Sequence, residues 1–431
     1  MVLQLHNTDS NFDEAFQTLL AQKREQSEDV LSVVNDIIRD VQTRGDEALR
    51  DFTLKFDHVD LNETGFQIAE DDIAQAHETV DDKTYDALEL AAERIRYHHE
   101  KQLPEDSTYV DKLGVNIGTK WTAIDAVGLY VPGGTANYPS SVLMNAIPAK
   151  VAGCKRVAMV VPTPYDNLNP LVLVAAHLAG VDEIYRIGGA QAIAALAYGT
   201  ALIAPVAKIV GPGNAYVAAA KRQVFGKVGI DMVAGPSEVL VVADAYNNPE
   251  WIAADLLAQA EHDKAAQSIL ITNDIDFANA VSQSVDAQLK ILPRAEIARH
   301  SWETYGAILI LDDLDHATPL IDQIAPEHLE LAIDNAETML DKINNAGSVF
   351  LGCHTPEAFG DYVAGTNHVL PTARSARFSS GLGVFDFMKR TSVLRMSETG
   401  IETLGPAAMA LAKSEGLEAH SRSVEMRLKK T

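Results

Sequence analysis

The chain reads as an α/β protein built from two Rossmann-like parallel-sheet domains, with a helical N-terminal segment and a small C-terminal arm. Three observations predict this. From Ser140 onward, short apolar runs such as RVAMVVP, AKIVG, QSILITN and GAILIL alternate with helix-patterned segments. Continuous apolar strands between amphipathic helices belong in parallel sheets covered on both faces. Two such blocks flank Asp231, with no fixed-period repeat evident. After Asp361 the alternation stops, leaving a loop rich in Gly, Ser, Thr and Arg and then a tail, Ile401 to Thr431, too thin to bury its own apolar face.

A chain of 431 residues can bury a sizeable core and should form two or more domains. Its net charge of −25 speaks against a basic face for nucleic acid or anionic membrane. The opening MVLQLHNTDSNFDEAF has no basic stretch followed by an apolar core, and no apolar run approaches membrane-spanning length. The expectation is a cytoplasmic protein. Cys154 and Cys353 cannot make a disulfide framework or a four-thiolate zinc site. Each is a candidate nucleophile for an aldehyde thioester, and a structural thiol is the favoured reading.

Taken in order, Asn11 to Gln102 is helix-rich. Val30, Val33, Val34, Ile37, Ile38 and Val41 form one helical stripe. A further helix ends in His98 and His99, which point about 100° apart and therefore read as a solvated helix end, not a metal pair. Between Val110 and Pro132 the runs VNIGT and AVGLYVPGG, punctuated by Asp125, predict a hairpin or bent edge.

The stretch Ile230 to Asp263 is the organising one. A Gly-Pro turn precedes a buried strand, Val239 to Ala243, and Asn248-Pro249 then starts a helix. Ile252, Leu256 and Gln259 recur at i, i+4 and i+7, so the Gln259 amide sits on the apolar face with His262 beside it. The pair is half of a metal site; it is also what a backbone-bonded Gln and a His welcome at a helix C-terminus would look like.

A dinucleotide fold normally carries GxGxxG after its first strand, and this chain lacks it. Three glycine loops, GLYVPGGTANYPS, RIGGAQAIAALAYG and VGPGNAYVAAAK, present backbone amides instead, each with one polar side chain: Tyr130, Gln191 and Asn214. They also read as ordinary strand–helix turns. APEHLE sets Glu327 and His328 side by side at a strand end, where α/β proteins place catalytic groups. FGDYVAGTNHVLPT holds Asp361 and His368, and the tail KSEGLEAHSRS holds Glu415 and His420.

AGPSEVLVVADA followed by DLLAQAEHD resembles the signature of the histidinol dehydrogenases, zinc- and NAD-dependent enzymes that end histidine biosynthesis. The resemblance covers nearly the whole chain after about Asn116, and TARSAR departs from the glycine-rich form of that loop common in the family. It implies oxidation of L-histidinol through L-histidinal to L-histidine with two NAD and one water. It implies Glu327 as activator of water and His328 as base for the substrate hydroxyl. NAD falls to Tyr130, Gln191 and Asn214. Zinc falls to Gln259, His262, Asp361 and His420, and the substrate to these four together with Ser237, His328, His368 and Glu415. His420 would come from the other subunit of a swapped homodimer.

The expected division is 1–24 as a helical segment, 25–128 and 237–380 as the two parts of a catalytic domain, 129–236 as the NAD-binding domain, and 381–431 as the arm. Two rivals remain at this stage: a relative acting on another small amino alcohol or diol, and a zinc hydrolase in which Glu327 activates a metal-bound water. The three glycine loops count against the hydrolase.

Overall fold

The computed structural model describes residues 2–22, 28–133, 138–233 and 235–429. The chain opens with β1 (Leu3–His6), a strand inside the segment 1–24 expected to be helical. Helices run from Phe12 to Glu100. Then come β2 (Ser107–Val110), β3 (Asn116–Ala123) and β4 (Ala126–Tyr130). Alternating with helices follow β5 (Arg156–Val160), β6 (Glu183–Tyr185), β7 (Lys208–Val210) and β8 (Gly229–Ile230). The second block carries β9 (Glu238–Ala243), β10 (Gln267–Thr272), β11 (Ala307–Ile310), β12 (His328–Ala332) and β13 (Ser348–Leu351). The last strand is β14 (Met388–Arg395), and the arm is two helices, Glu398–Ser414 and Glu418–Leu428.

Among the described residues these strands form three sheets. One has six strands in the order β1-β11-β10-β9-β12-β13, and one has five in the order β6-β5-β4-β7-β8. Every pairing in both is parallel, as the apolar runs predict. The third, β14-β3-β2, is antiparallel.

Side chains alternate across a strand, and the cores show it. Val239, Val241 and Leu270 pack against the helices Pro249–Ala260 and Ile275–Gln288 on one face of the large sheet. Leu240, Val242 and Ile269 pack on the other face, with Phe12, Phe16 and Ile321. The five-stranded sheet is likewise covered twice, by Val142, Leu143 and Ile147 over Leu129 and Met159, and by Ile193 and Val217 over Ala158 and Val160.

Several expectations change. The helices of 28–100 cover the five-stranded sheet: Val34, Ile37, Ile38 and Val41 share a core with it, and so do Leu88, Ala91 and Ile95, whose core also takes in Val369. Val33 leaves the stripe and is 47% exposed. His99 is buried, not solvated; its Nδ1 lies 2.7 Å from the Ile95 carbonyl and Asn367 Nδ2 is 3.3 Å from its Nε2. The runs on either side of Asp125 are not one hairpin. β3 pairs with β14 and β2, whereas β4 is the central strand of the parallel sheet. β14 is almost wholly exposed and polar, so no alternation marks it. It exists because it pairs with β3 along its whole length.

Cys154 is buried and Cys353 exposed, and burial pushes the Cys154 thiol up to about 11. At pH 8 iodoacetamide should therefore label one thiol per folded chain, at Cys353, and a second only after unfolding. Mass spectrometry of the labelled peptides checks this; rapid labelling of Cys154 in the folded protein would contradict it.

Candidate active site

Strand ends of the two parallel sheets border one cleft. The carboxyl ends of β4 and β7 deliver Pro132–Gly133 and the loop 211–214. The amino ends of β9, β10 and β12 deliver Ser237–Glu238, Gln267 and Glu327–His328. Between them lies a cavity of about 1240 Å³. Glu327 and His328 therefore stand at the amino end of their strand, not at the carboxyl end that the general rule for open α/β sheets favours. The amino edge of a parallel sheet offers unpaired N–H groups, and Glu327 uses one: its Oε2 accepts from the Glu238 amide at 2.9 Å.

Each side chain is placed by its local sequence. Ala325 ends the helix Ala317–Ile324 at φ +48°, a left-handed cap that turns the chain into Pro326 and Glu327. Asn248 caps the helix Pro249–Ala260 by accepting from the Glu250 amide at 2.9 Å, and the far end of that helix carries Gln259. Gln259 is buried, with Oε1 turned onto His328. His262 follows in the next turn and lines the cavity.

His328 is the best-defined group. Its Nδ1 lies 3.0 Å from the Glu238 carbonyl and 3.1 Å from Gln259 Oε1. Both partners are acceptors, so Nδ1 carries the proton, and the lone pair is on Nε2. Nε2 is buried with no hydrogen-bond partner and has Asp361 Oδ1 at 3.8 Å. Burial lowers the pKa of the ring, against the opposing pull of Asp361. The result is a neutral imidazole with a free basic nitrogen, 3.9 Å at Nδ1 from Glu327 Oε2.

Asp361 lies on the short helix Glu357–Tyr362. His368 Nδ1 donates to the Asp361 carbonyl at 3.0 Å and stands 3.8 Å from its Oδ1, leaving Nε2 facing Ser141 Oγ at 3.3 Å. Burial lowers the pKa of His368 as well. Behind His328 is a group of carboxyls that sequence reasoning missed: Asp255, Glu330 and Glu357. Burial holds all three above the usual carboxylate range, Asp255 up to about 6, with mutual repulsion adding to it for Glu330 and Glu357. The one available signal was Glu330 two residues after His328, which strand periodicity sends to the same face.

The residues expected to hold NAD divide. Asn214 lines the cavity, and its Oδ1 caps the helix Ala215–Val224 by accepting from Tyr216 and Val217 amides at 3.0 and 3.1 Å. Tyr130 and Gln191 are buried. The Tyr130 hydroxyl accepts from the Gly189 amide at 3.1 Å, and burial pushes this phenol up to about 12. Of the first glycine loop, 134–137 lie outside the described residues, as does Ala234 of the central signature. Ser237, Gln259, His262, Glu327, His328, Asp361 and His368 all line the one cavity. Glu415 and His420 do not: they are exposed on the arm.

The loop after β7 is held tightly. Lys221 and Asp231 form a buried ion pair, Lys221 donates to the Gly211 carbonyl at 2.9 Å, and Asp231 accepts from the Gly211 amide at 2.8 Å. Gly211 has φ +109°, and a Cβ there would run into the Tyr130 carbonyl oxygen. Gly211→Ala should cost about 3 kcal/mol or more, since the conformation and the space both exclude a side chain. Urea unfolding checks this, and an unchanged midpoint would contradict it.

Fold and cleft together define a two-sheet α/β enzyme that sets a glycine-loop edge against an acid–base edge. The family model described as histidinol dehydrogenase matches residues 20–428. The histidinol dehydrogenase of Mesorhizobium japonicum is 63% identical over 99% of this chain and 100% of its own, and that of Rhizobium meliloti is 62% identical over 99% of each. The crystal structure of histidinol dehydrogenase from Elizabethkingia anophelis superimposes with a TM-score of 0.95 at 39% identity, covering 99% of this chain and 98% of that one. The chain belongs to the histidinol dehydrogenase family, and it is an NAD-dependent oxidoreductase.

Proposed function

We propose that this chain oxidises L-histidinol through L-histidinal to L-histidine, the final step of histidine biosynthesis, consuming two NAD and one water. The observation that carries the reading is His328: a neutral imidazole whose tautomer is set by two acceptors, with a bare Nε2 beside a carboxylate in the cleft. His328 Nε2 takes the proton of the substrate hydroxyl as the carbinol is oxidised. Glu327 then takes a proton from the water that attacks the aldehyde, and His328 serves again in oxidation of the hydrate. NAD is the oxidant of both steps. Asn214 and the loop 211–214, which line the cavity, would hold it, with the buried Tyr130 and Gln191 supporting that loop region.

The donor set Gln259, His262 and Asp361 fits zinc: nitrogen and oxygen, no thiolate, all on one cavity. Among the described residues no group of three or more His, Cys, Asp and Glu stands ready to hold a metal. The set needs the Gln259 amide oxygen and a fourth donor, which this reading takes from His420 of the partner subunit in a homodimer. Zinc held there would supply a Lewis acid for the amine and imidazole of the substrate. Ser237, His368 and the partner subunit's Glu415 hold the amino alcohol. Among the described residues no helix is long and apolar enough to cross a membrane, and the reading includes a cytoplasmic location.

The test is NADH formed per histidinol consumed by purified, zinc-loaded protein. Two NADH, lost on chelation and restored by zinc, is expected. One NADH with aldehyde released would remove the role given to Glu327, and turnover only of another amino alcohol would overturn the substrate.

A further inference from the structure

We propose that Glu330 is a positioning residue that sets the separation of the base His328 from the metal donor Asp361. The inference rests on the reading of Asp361 as a zinc ligand. Glu330 follows His328 by two residues on β12, so both side chains point to the same face of the sheet, and both are buried. Glu330 Oε1 accepts from the Glu357 amide at 2.6 Å. That amide opens the helix Glu357–Tyr362, and the residue at its N-cap is Pro356, which has no side-chain acceptor to offer it.

Asp361 lies four residues along this helix, one turn from Glu357 and on the same face. Its Oδ1 ends 3.8 Å from His328 Nε2. The other end of the unit closes on the same ring: Glu357 Oε2 stands 3.6 Å from His328 Nδ1. One carboxyl therefore ties the strand that carries the base to the helix that carries the donor. Asp255, on the helix that bears Gln259, is a second carboxyl set against Glu330.

Because the contact needs an acceptor oxygen and not a charge, Gln should replace Glu330 and Met should not, although Met fills the same space. Glu330→Met and Glu330→Gln are compared with wild type for zinc affinity by chelator competition, for the visible spectrum of the cobalt-substituted protein, for NAD binding and for thermal unfolding of the metal-free form. Glu330→Met should hold zinc about 10–100-fold more weakly, the usual loss when a group that orients a metal ligand is removed. Its cobalt spectrum should change and NAD binding should stay near wild type, while the metal-free form should still unfold cooperatively, at a midpoint lowered only by the loss of one buried hydrogen bond. Glu330→Gln should stay within a few-fold of wild type.

Wild-type zinc affinity in Glu330→Met would overturn the proposal, and so would equal loss in Glu330→Gln, which would point to the carboxyl proton. Parallel loss of NAD binding would reduce the residue to a general structural one. A wild-type protein that takes up no zinc would overturn the site reading itself, and this inference with it.

Discussion

Replacing His328 with Asn should lower kcat about 10³-fold, the middle of the range for removal of a general base and worth about 4 kcal/mol of barrier. Asn is the informative choice. Its amide nitrogen can stand where Nδ1 does and still donate to the Glu238 carbonyl and Gln259 Oε1, while Nε2 is lost. Unfolding should therefore move little while chemistry stops. Glu327→Gln separates the two half-reactions. It keeps an acceptor for the Glu238 amide but cannot deprotonate water, so a rapid-mixing experiment should show a burst of one NADH per site followed by a rate about 10²-fold or more below wild type. In His328→Asn the burst itself should vanish. A normal burst in His328→Asn would remove it from the first oxidation.

The second large effect concerns the arm. Glu415 and His420 are exposed, and Leu411, Leu417 and Met426 beside them leave apolar surface uncovered. On the proposed reading, in which both histidines hold zinc in an arm-swapped homodimer, His262→Asn and His420→Asn should each lose activity by about 100-fold or more, since even groups behind a metal ligand cost 10–100-fold. Mixed after joint unfolding and refolding, the two variants should recover. In a swapped dimer each heterodimer has one site with both histidines intact and one with neither. Random assortment makes half the dimers mixed, with half of their sites intact, so about a quarter of wild-type activity should return. If His420 served its own chain, no pairing would rebuild a site, and mixing would restore nothing.

Some of the site was legible because chemistry and local pattern coincided. Gln259 could be placed on a buried face by counting i, i+4, i+7 from Ile252, and it is buried there. Glu327 and His328 stood out as adjacent titrating groups in a strand-end segment. Other parts had no local mark. Glu238 acts on His328 and Glu327 through its backbone carbonyl and amide, which no side-chain motif displays. Glu357 sits in a polar segment that looks like any helix start, and Lys221 looks like one more basic residue of a helix end until it is seen buried against Asp231.

By itself the sequence determined that this chain folds as two parallel α/β sheets, because runs apolar on both faces leave no other layering. It also marked the nitrogen and oxygen side chains and the imidazole on which the proposed reading rests. Only the tertiary structure decided how these parts meet. It gave the helices of 28–100 to the five-stranded sheet, paired the polar β14 with β3, and brought strand ends of the two parallel sheets to one cleft. The reason is physical: a strand's or helix's burial pattern says that it must be covered, and the pattern is the same whichever partner covers it.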